Sequence, residues 1–172
     1  LLDTALPEFE KTLITAALAN ARSILGKNPA LAAAVELRHQ PVWENIFVGL
    51  LRSGENFDLS ICNPPFHNAP DEVIAVSQRK WNNLGMPGAK KGRAQPRLNF
   101  GGGGTELWCN GGERAFVKTI IEQSATIPKR CLWFTSLVSR AEHLQHVEAA
   151  LKKARVVESR VIPMAQGQKQ SR

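Results

Sequence analysis

Apolar side chains recur at helical spacing in three stretches of the chain. The first, residues 15–25, ends at Gly26, and an Asn-Pro pair follows, which is a typical helix exit. The second, residues 113–123, has an apolar stripe behind a Gly-Gly pair, and the third, residues 144–153, ends in two lysines. A shorter apolar cluster at residues 46–51 predicts a brief amphipathic helix. The pattern therefore predicts four helices.

Short apolar runs bounded by turn residues alternate with these helices. They predict strands at Val35–Arg38, Phe57–Cys62, Arg130–Phe134 and Val156–Ile162, and the second and third of these read as buried strands. Strands that alternate with helices of this length indicate βαβ units and a parallel sheet covered on both faces. The fold class predicted from the pattern is therefore α/β.

The amino-acid composition excludes several classes of protein. The chain has 172 residues, 43% of them hydrophobic and 22% charged, which is ordinary for one globular domain and excludes a disordered or fibrous protein. No apolar run approaches the ~20 residues of a membrane-spanning helix, and no basic-then-apolar leader opens the chain. We therefore expect a cytoplasmic protein with no membrane partner. The three cysteines lie far apart without a Cys-x-x-Cys pair, so we expect reduced thiols and no metal site.

The positive charge is concentrated in one segment. Lys and Arg number 22 against 15 Asp and Glu, a net charge of +7, and no acidic residue lies between Glu72 and Glu106. Glycine and proline are frequent there, which predicts a mobile basic loop over residues 73–105. Such a loop either contacts phosphates or is a solvated linker. Its basic residues are Arg79, Lys80, Lys90, Lys91, Arg93 and Arg97.

The strongest candidate for chemistry is the tetrapeptide Asn63-Pro64-Pro65-Phe66, directly after a predicted strand. Ligands of open α/β sheets bind beyond the carboxyl ends of the strands. The two prolines lack N–H groups, so the turn is stiff and has free acceptors. The Asn63 side-chain oxygen and the Pro64 carbonyl can hold both hydrogens of an exocyclic aromatic amine, while Phe66 stacks on the base. The alternative is a plain Asn-Pro turn.

Further motifs follow the tetrapeptide in a fixed order. After the basic segment come Leu98–Gly102, Glu106–Cys109, Gly111–Glu113, Trp133–Arg140 and Met164–Arg172. Together these segments resemble the bacterial large-subunit ribosomal RNA adenine-N6 methyltransferase F family, over roughly residues 14–172. The Gly-Gly-Glu helix and the Gln-Gly segment are also similar to the related eukaryotic methyltransferase 16 group.

The resemblance implies a class I methyltransferase fold with a Rossmann-like sheet, S-adenosylmethionine as cofactor, and one adenine of 23S ribosomal RNA as target. It further implies that Asn63 and Pro64 bind the target amine, that Phe66 contacts the base, and that Asn63 also contacts the cofactor. Gln40 lies where class I enzymes often contact the cofactor adenine, and Lys169 is a candidate for binding phosphate. The protein is expected to act as a monomer.

The sequence departs from the family in one respect. The glycine-rich cofactor loop, and the acidic residue that holds the cofactor ribose, have no counterpart here, and Gly101–Gly104 does not replace the loop because it follows no buried strand. We therefore expect an incomplete sheet, with residues 1–13 a fragment of an N-terminal helical region and residues 14–172 a partial class I domain. A break in the chain is expected near Leu13 and Ile14.

Two other functions are compatible with these motifs. A protein-glutamine N5 methyltransferase also presents an amide nitrogen on an Asn-Pro-Pro turn, although that class usually has Tyr at the position of Phe66. A non-catalytic RNA-binding module would use the basic segment without needing Asn63. Glu113, at the start of the second long helix, is expected to cap that helix, and positioning of an RNA-contacting loop is the alternative.

Overall fold

A computed structural model describes residues 8–42, 44–69, 107–166 and 169–171. They fall into two compact units, one with the described residues up to 39 together with 69, 107 and 108, and the other with those of 40–68 and 109–171. The basic segment 73–105, and with it the prediction of a mobile loop, lies outside the described residues.

The first unit contains α1 (Glu8–Gly26) and α2 (Pro29–Ala32). The helix predicted at residues 15–25 is thus confirmed, and it ends at the predicted glycine. Leu18, Ala21 and Leu25 are half-buried on one side, as their spacing requires.

One expectation for this unit is wrong, and another stays a prediction. Helix α1 runs through Leu13 and Ile14. The break expected there, and the division into residues 1–13 and 14–172, stay predictions. Val35–Arg38 is not a strand, because no other described segment pairs with it, and a strand requires a partner for its backbone groups.

The second unit is built on one βαβ arrangement. Strand β1 (Phe57–Cys62) pairs in parallel with β2 (Cys131–Ser136), and helix α3 (Gly112–Ser124) lies between them in the chain. The register places Phe57 opposite Cys131 and Cys62 opposite Ser136. The predicted parallel pairing and the helix between the strands are both confirmed.

The core of the second unit lies under α3. Val117, Ile120 and Ile121 are buried along one face of the helix, and Cys131 and Val138 are buried as well. The helix forms because its apolar residues recur at intervals of three and four, which places them on one stripe.

The two strands are more exposed than predicted. Leu59, Ile61 and Leu132 are 50%, 83% and 76% exposed, and Trp133, within the second strand predicted to be buried, is 39% exposed. Among the described residues β1 and β2 pair only with each other, so nothing in that part of the chain continues the sheet beyond either strand. A run of apolar residues typical of a buried strand thus lies here in an incomplete sheet.

After β2, a short 3₁₀ helix (Ala141–His143) leads into α4 (Leu144–Lys153), which confirms the third long helix. The strand predicted at Val156–Ile162 is wrong: this segment is irregular, and the Arg160 guanidinium lies 5.3 Å from the centre of the Trp133 ring. The chain then forms a small antiparallel hairpin from β3 (Met164–Gln166) and β4 (Lys169–Ser171).

The helix predicted at residues 46–51 is also wrong, because this segment forms turns with Gly49 in the left-handed region at φ +82°. Within the described ranges no helix combines the length and apolar character that crossing a membrane requires. All three cysteines are free thiols.

Candidate active site

The Asn-Pro-Pro-Phe turn begins at the residue after β1. Asn63 is exposed, Pro64 and Pro65 are buried, and Phe66 is half-buried. The Asn63 side chain forms no hydrogen bond with the described part of the chain, so its amide remains available to a ligand. The Asn63 amide is therefore exposed to solvent, while the two prolines that follow it are packed in the interior.

The start of the turn is anchored to β2. The Leu137 N–H donates to the Cys62 carbonyl over 2.9 Å, one residue before the turn and just past the end of β2. Within the ladder, the Thr135 hydroxyl donates to the Ser60 carbonyl over 2.6 Å. The exits of the two strands are thus tied together where the turn begins.

The end of the turn is anchored to the segment before α3. The Cys109 N–H donates to the His67 carbonyl over 3.1 Å. Gly112, with φ +59°, lies so close to Asn68 that a Cβ atom there would be 2.5 Å from the Asn68 Oδ1. Both the positive φ and the close approach explain a glycine at this position.

Glu113 does not cap α3, which corrects the expectation from sequence. The helix begins after Gly111 without a side-chain cap, and the Glu113 carboxylate turns away toward the segment that follows β2. Its Oε1 accepts from the Ser139 N–H over 2.5 Å, and its Oε2 lies 2.5 Å from His143 Nδ1. The residue is 1% exposed, so this carboxylate is held entirely by protein partners.

Gln40 has both ends of its amide engaged within its own loop. Nε2 donates to the Val48 carbonyl over 2.8 Å, and Oε1 accepts from the Val42 N–H over 3.2 Å. The predicted contact with a cofactor stays a prediction. The side chain of Lys169 and the six basic residues of segment 73–105 lie outside the described part of the structure.

A second glutamine was not singled out from sequence. The Gln123 Oε1 accepts from the N–H groups of both Ile46 and Phe47, over 2.8 and 2.9 Å, and its Nε2 donates to the Glu44 carbonyl over 2.8 Å. A polar residue near the end of α3 thus holds the loop that precedes β1. Phe47 packs edge-on against Phe134, with ring centres 5.3 Å apart.

Two thiols lie next to the anchors of the turn. Burial raises the pKa of the Cys62 thiol above its ordinary value of 9.0, and the nearby Ser136 hydroxyl partly offsets this. Burial also raises the pKa of the Cys109 thiol. Both side chains therefore remain neutral thiols at physiological pH. Across the described ranges, no three His, Cys, Asp or Glu side chains cluster as metal ligands.

Comparison with known proteins identifies the family. A family profile described as RNA methyltransferase matches residues 10–172. The chain belongs to this family. It is 79% identical over 157 residues to the ribosomal RNA large subunit methyltransferase F of Dechloromonas aromatica, covering 91% of this chain and 46% of that protein. It is 53% identical over 156 residues to the protein of the same name from Pseudomonas putida strain GB-1, covering 91% of this chain and 48% of that protein.

The family assignment confirms the resemblance inferred from the motifs, and solved structures agree on the fold. The crystal structure of the hMettl16 catalytic domain in complex with MAT2A 3'UTR hairpin 1 matches with a TM-score of 0.64 at 24% identity, over 88% of this chain and 48% of that one. The predicted fold class is therefore confirmed: a methyltransferase α/β fold, of whose sheet the described residues form two parallel strands. The chain spans about half the length of the curated relatives it matches.

Proposed function

We propose that the full-length protein methylates the N6 amine of an adenine in large-subunit ribosomal RNA, with S-adenosylmethionine as the methyl donor and 23S RNA as the substrate. One observation supports this most strongly. The Asn63 amide is exposed and unengaged by the described residues at the carboxyl end of a parallel strand, on a buried proline pair. Ligands of α/β sheets bind at that place.

The turn has the acceptors that an adenine amine requires. The amine carries two N–H bonds, and delocalisation of its lone pair into the ring makes it a weak nucleophile. The Asn63 oxygen and the Pro64 carbonyl accept one hydrogen each and so fix the direction of the nitrogen. Each bond contributes only about 0.5–1.5 kcal/mol net, but alignment for attack lowers the barrier by far more. No base is needed beforehand, because the nitrogen becomes acidic only after it is alkylated.

The described residues do not form a complete site for the methyl donor. Of the two residues predicted to contact it, Gln40 has its amide bonded within its own loop, and the Asn63 amide is exposed. The sequence has neither a glycine-rich loop after a buried strand nor the acidic residue for the ribose. We therefore assign to this chain chiefly the binding and orientation of the target base, and the contacts of Asn63 and Gln40 with the donor stay predictions.

RNA is favoured over protein glutamine as the substrate. The family profile is described as RNA methyltransferase, and relatives at 79% and 53% identity are named as enzymes of large-subunit ribosomal RNA. Phe66, where glutamine methyltransferases usually have Tyr, is half-buried beside the exposed Asn63 and offers a ring for a base to stack on. A monomer in the cytoplasm, where ribosomal RNA is modified, fits this substrate.

The test is methyl transfer from isotope-labelled S-adenosylmethionine by the full-length protein. Purified 23S and 16S RNA, and assembled large subunits, are offered in separate reactions and digested to nucleosides for mass spectrometry. We expect labelled N6-methyladenosine in the 23S digest or in that of the assembled subunit, and none from 16S RNA. Label recovered on glutamine in added protein, or cofactor and RNA binding with no transfer to any substrate, would contradict the proposal.

A further inference from the structure

The carboxylate of Glu113 is the most deeply buried charge in the described part of the chain, at 1% exposed. Its two oxygens point at two different targets, the backbone N–H of Ser139 and the imidazole of His143. Opposite a carboxylate, His143 Nδ1 is the ring nitrogen that carries the hydrogen. The other ring nitrogen, Nε2, lies 3.9 Å from the exposed carboxylate of Glu142.

Burying a carboxylate is costly, and apolar replacements of buried ion pairs are often neutral or stabilising. Stability alone is therefore a weak reason for this residue. The carboxylate does fix the positions of its two partners, since charge-assisted hydrogen bonds are short and strongly oriented. Glu113 holds two points of the segment between β2 and α4 at fixed distances from α3.

That segment in turn holds the start of the Asn-Pro-Pro-Phe turn. Leu137, two residues before Ser139, donates its N–H to the Cys62 carbonyl, and Cys62 directly precedes Asn63. A displacement of Ser139 would therefore be transmitted through Leu137 to the first residue of the turn.

The end of the turn is held by the residues just before Glu113. Cys109 donates to the His67 carbonyl, and Gly112 lies against Asn68. Both ends of the turn are thus fixed to the chain around the start of α3, one end through Glu113 and the other through its immediate neighbours.

We propose that Glu113 is a positioning residue for Asn63: by holding Ser139 and His143, it sets the geometry of the turn that orients the target amine. This inference rests on the proposed function for its kinetic consequence, but the geometric step stands apart from catalysis. Glu113 itself contacts neither base nor donor in this scheme.

The kinetic test compares Glu113→Ala with Glu113→Gln in the full-length protein. Alanine removes both hydrogen bonds, and because misplacement by about 1 Å can cost about a hundredfold in rate, we expect kcat to fall by up to about 100-fold. The KM for RNA should stay within about threefold, since an interaction that only aligns the reacting atoms is expressed in kcat. Glutamine keeps an acceptor for Ser139 and a polar group for His143, so it should restore kcat to within about tenfold of the wild type.

The structural test is hydrogen exchange followed by mass spectrometry, and it does not depend on methyl transfer. In Glu113→Ala, exchange should accelerate by at least about tenfold in a peptide covering residues 137–143, while residues 131–135 in the ladder stay protected. Glu122→Ala is the matched control, because it removes from the same helix a surface carboxylate whose described ion pair is with Lys118. It should change neither kcat nor exchange.

The possible outcomes separate the two proposals. If the wild type transfers no methyl group, the proposed function fails, while the exchange data still decide whether Glu113 holds the segment. Unchanged exchange in Glu113→Ala, or faster exchange with unchanged kcat, would overturn the positioning role. If Glu113→Ala does not fold, His143→Ala is tested in its place. This substitution removes one of the two partners of the Glu113 carboxylate, and His143 is only half-buried. We expect a kcat lowered about three- to tenfold for that variant, and wild-type values in both assays would again overturn the inference.

Discussion

The Asn63 side chain is exposed, while the prolines that follow it are buried. Truncation should therefore remove an acceptor without disturbing packing. We expect Asn63→Ala in the full-length protein to lower kcat for methyl transfer by at least about 100-fold, with RNA affinity nearly unchanged, because the amide orients one amine and contributes little to total binding.

Asn56→Ala provides the control for that variant. Asn56 is an exposed asparagine just before β1, at the opposite end of the strand from the turn. Steady-state methylation and an RNA-binding titration should show wild-type values for Asn56→Ala. Equal turnover by the two variants would remove Asn63 from the site.

Gly112 has a left-handed backbone and also lies close to Asn68. The effects of these two features on stability can be separated. Gly54 has φ +80° and open space within 4 Å of where a Cβ atom would lie, whereas at Gly112 the Cβ would meet Asn68. Gly54→Ala should cost about 1–2 kcal/mol from backbone strain alone. Gly112→Ala should cost about 1–3 kcal/mol more, because Asn68 must move. Urea denaturation measures both, and equal losses would show that the contact with Asn68 is unimportant.

The raised pKa values of Cys62 and Cys109 predict slow alkylation. The thiolate is the reactive form, and burial disfavours it in both side chains, so each should react with iodoacetamide more slowly at pH 8 than a free cysteine does. Because the pKa is higher in the folded state, the folded protein retains these protons longer as the pH rises. The free energy of unfolding should therefore fall as the pH rises above the ordinary value of 9.0.

Site-resolved mass spectrometry across a pH series measures how fast each of the two cysteines is alkylated. Urea-unfolded protein serves as the reference, since its thiols are exposed. Alkylation of either cysteine in the folded protein at the rate seen in urea would contradict the expected effect of burial.

Helix α3 holds the loop before β1 through Gln123. Three hydrogen bonds join this one side chain to Glu44, Ile46 and Phe47. Because each bond contributes about 0.5–1.5 kcal/mol and the side chain is partly exposed, Gln123→Ala should lower the free energy of unfolding by about 1–3 kcal/mol. Exchange of the Ile46 and Phe47 amides should accelerate at the same time.

Gln123→Glu distinguishes the two halves of this contact. A carboxylate still accepts from both N–H groups but cannot donate to the Glu44 carbonyl, so stability should lie between those of the wild type and Gln123→Ala. Glu122→Ala, one residue earlier on the helix, should leave the Ile46 and Phe47 amides unaffected. Protection of these amides in Gln123→Ala would show that the loop is held by packing instead.

The helices and strands predicted correctly have residues at their ends that mark where they begin or stop. Helix α1 ends at a glycine before Asn-Pro, α3 follows a glycine pair, and β1 is a short apolar run between turn residues. The two strands predicted wrongly share a different feature, since Val35–Arg38 and Val156–Ile162 have strand composition but no described partner to pair with. A strand depends on its neighbours, and composition does not reveal whether they are present.

Part of the candidate site could be predicted from sequence, and part could not. The Asn-Pro-Pro-Phe turn is contiguous in sequence, and its place after a strand follows from the pattern around it. The bonds of Glu113 to Ser139 and His143 join residues 26 and 30 positions apart, and no spacing rule connects them. The only sequence signal was an acidic residue in the first turn of a helix, which ordinarily indicates capping.

The distribution of charge along the chain leads to a prediction for the proposed binding of RNA. The net charge of +7 comes almost entirely from the acid-free stretch between Glu72 and Glu106. If all six of its basic residues contact phosphates of single-stranded RNA, replacing them with glutamine should reduce the slope of log K against log salt by up to about 4.

Binding of 23S RNA measured between 50 and 300 mM salt, on the order of physiological ionic strength, tests this expectation. Replacement of Lys118, Lys152 and Lys153, which lie on helices of the second unit, is the control with a smaller change of charge. An unchanged slope in the six-residue variant would show that the segment is a solvated linker.

The pairing of β1 with β2 also sets when the site can form during synthesis. Thr135 bonds to Ser60, 75 positions earlier in the chain, and the turn after β1 is fixed only once Leu137 reaches the Cys62 carbonyl. At about 5–20 residues per second, a ribosome takes roughly 4–15 s to synthesise that stretch. For those seconds the nascent chain has the Asn-Pro-Pro-Phe sequence without the backbone bond that fixes the start of the turn, so the geometry of the turn depends on a strand that is made later.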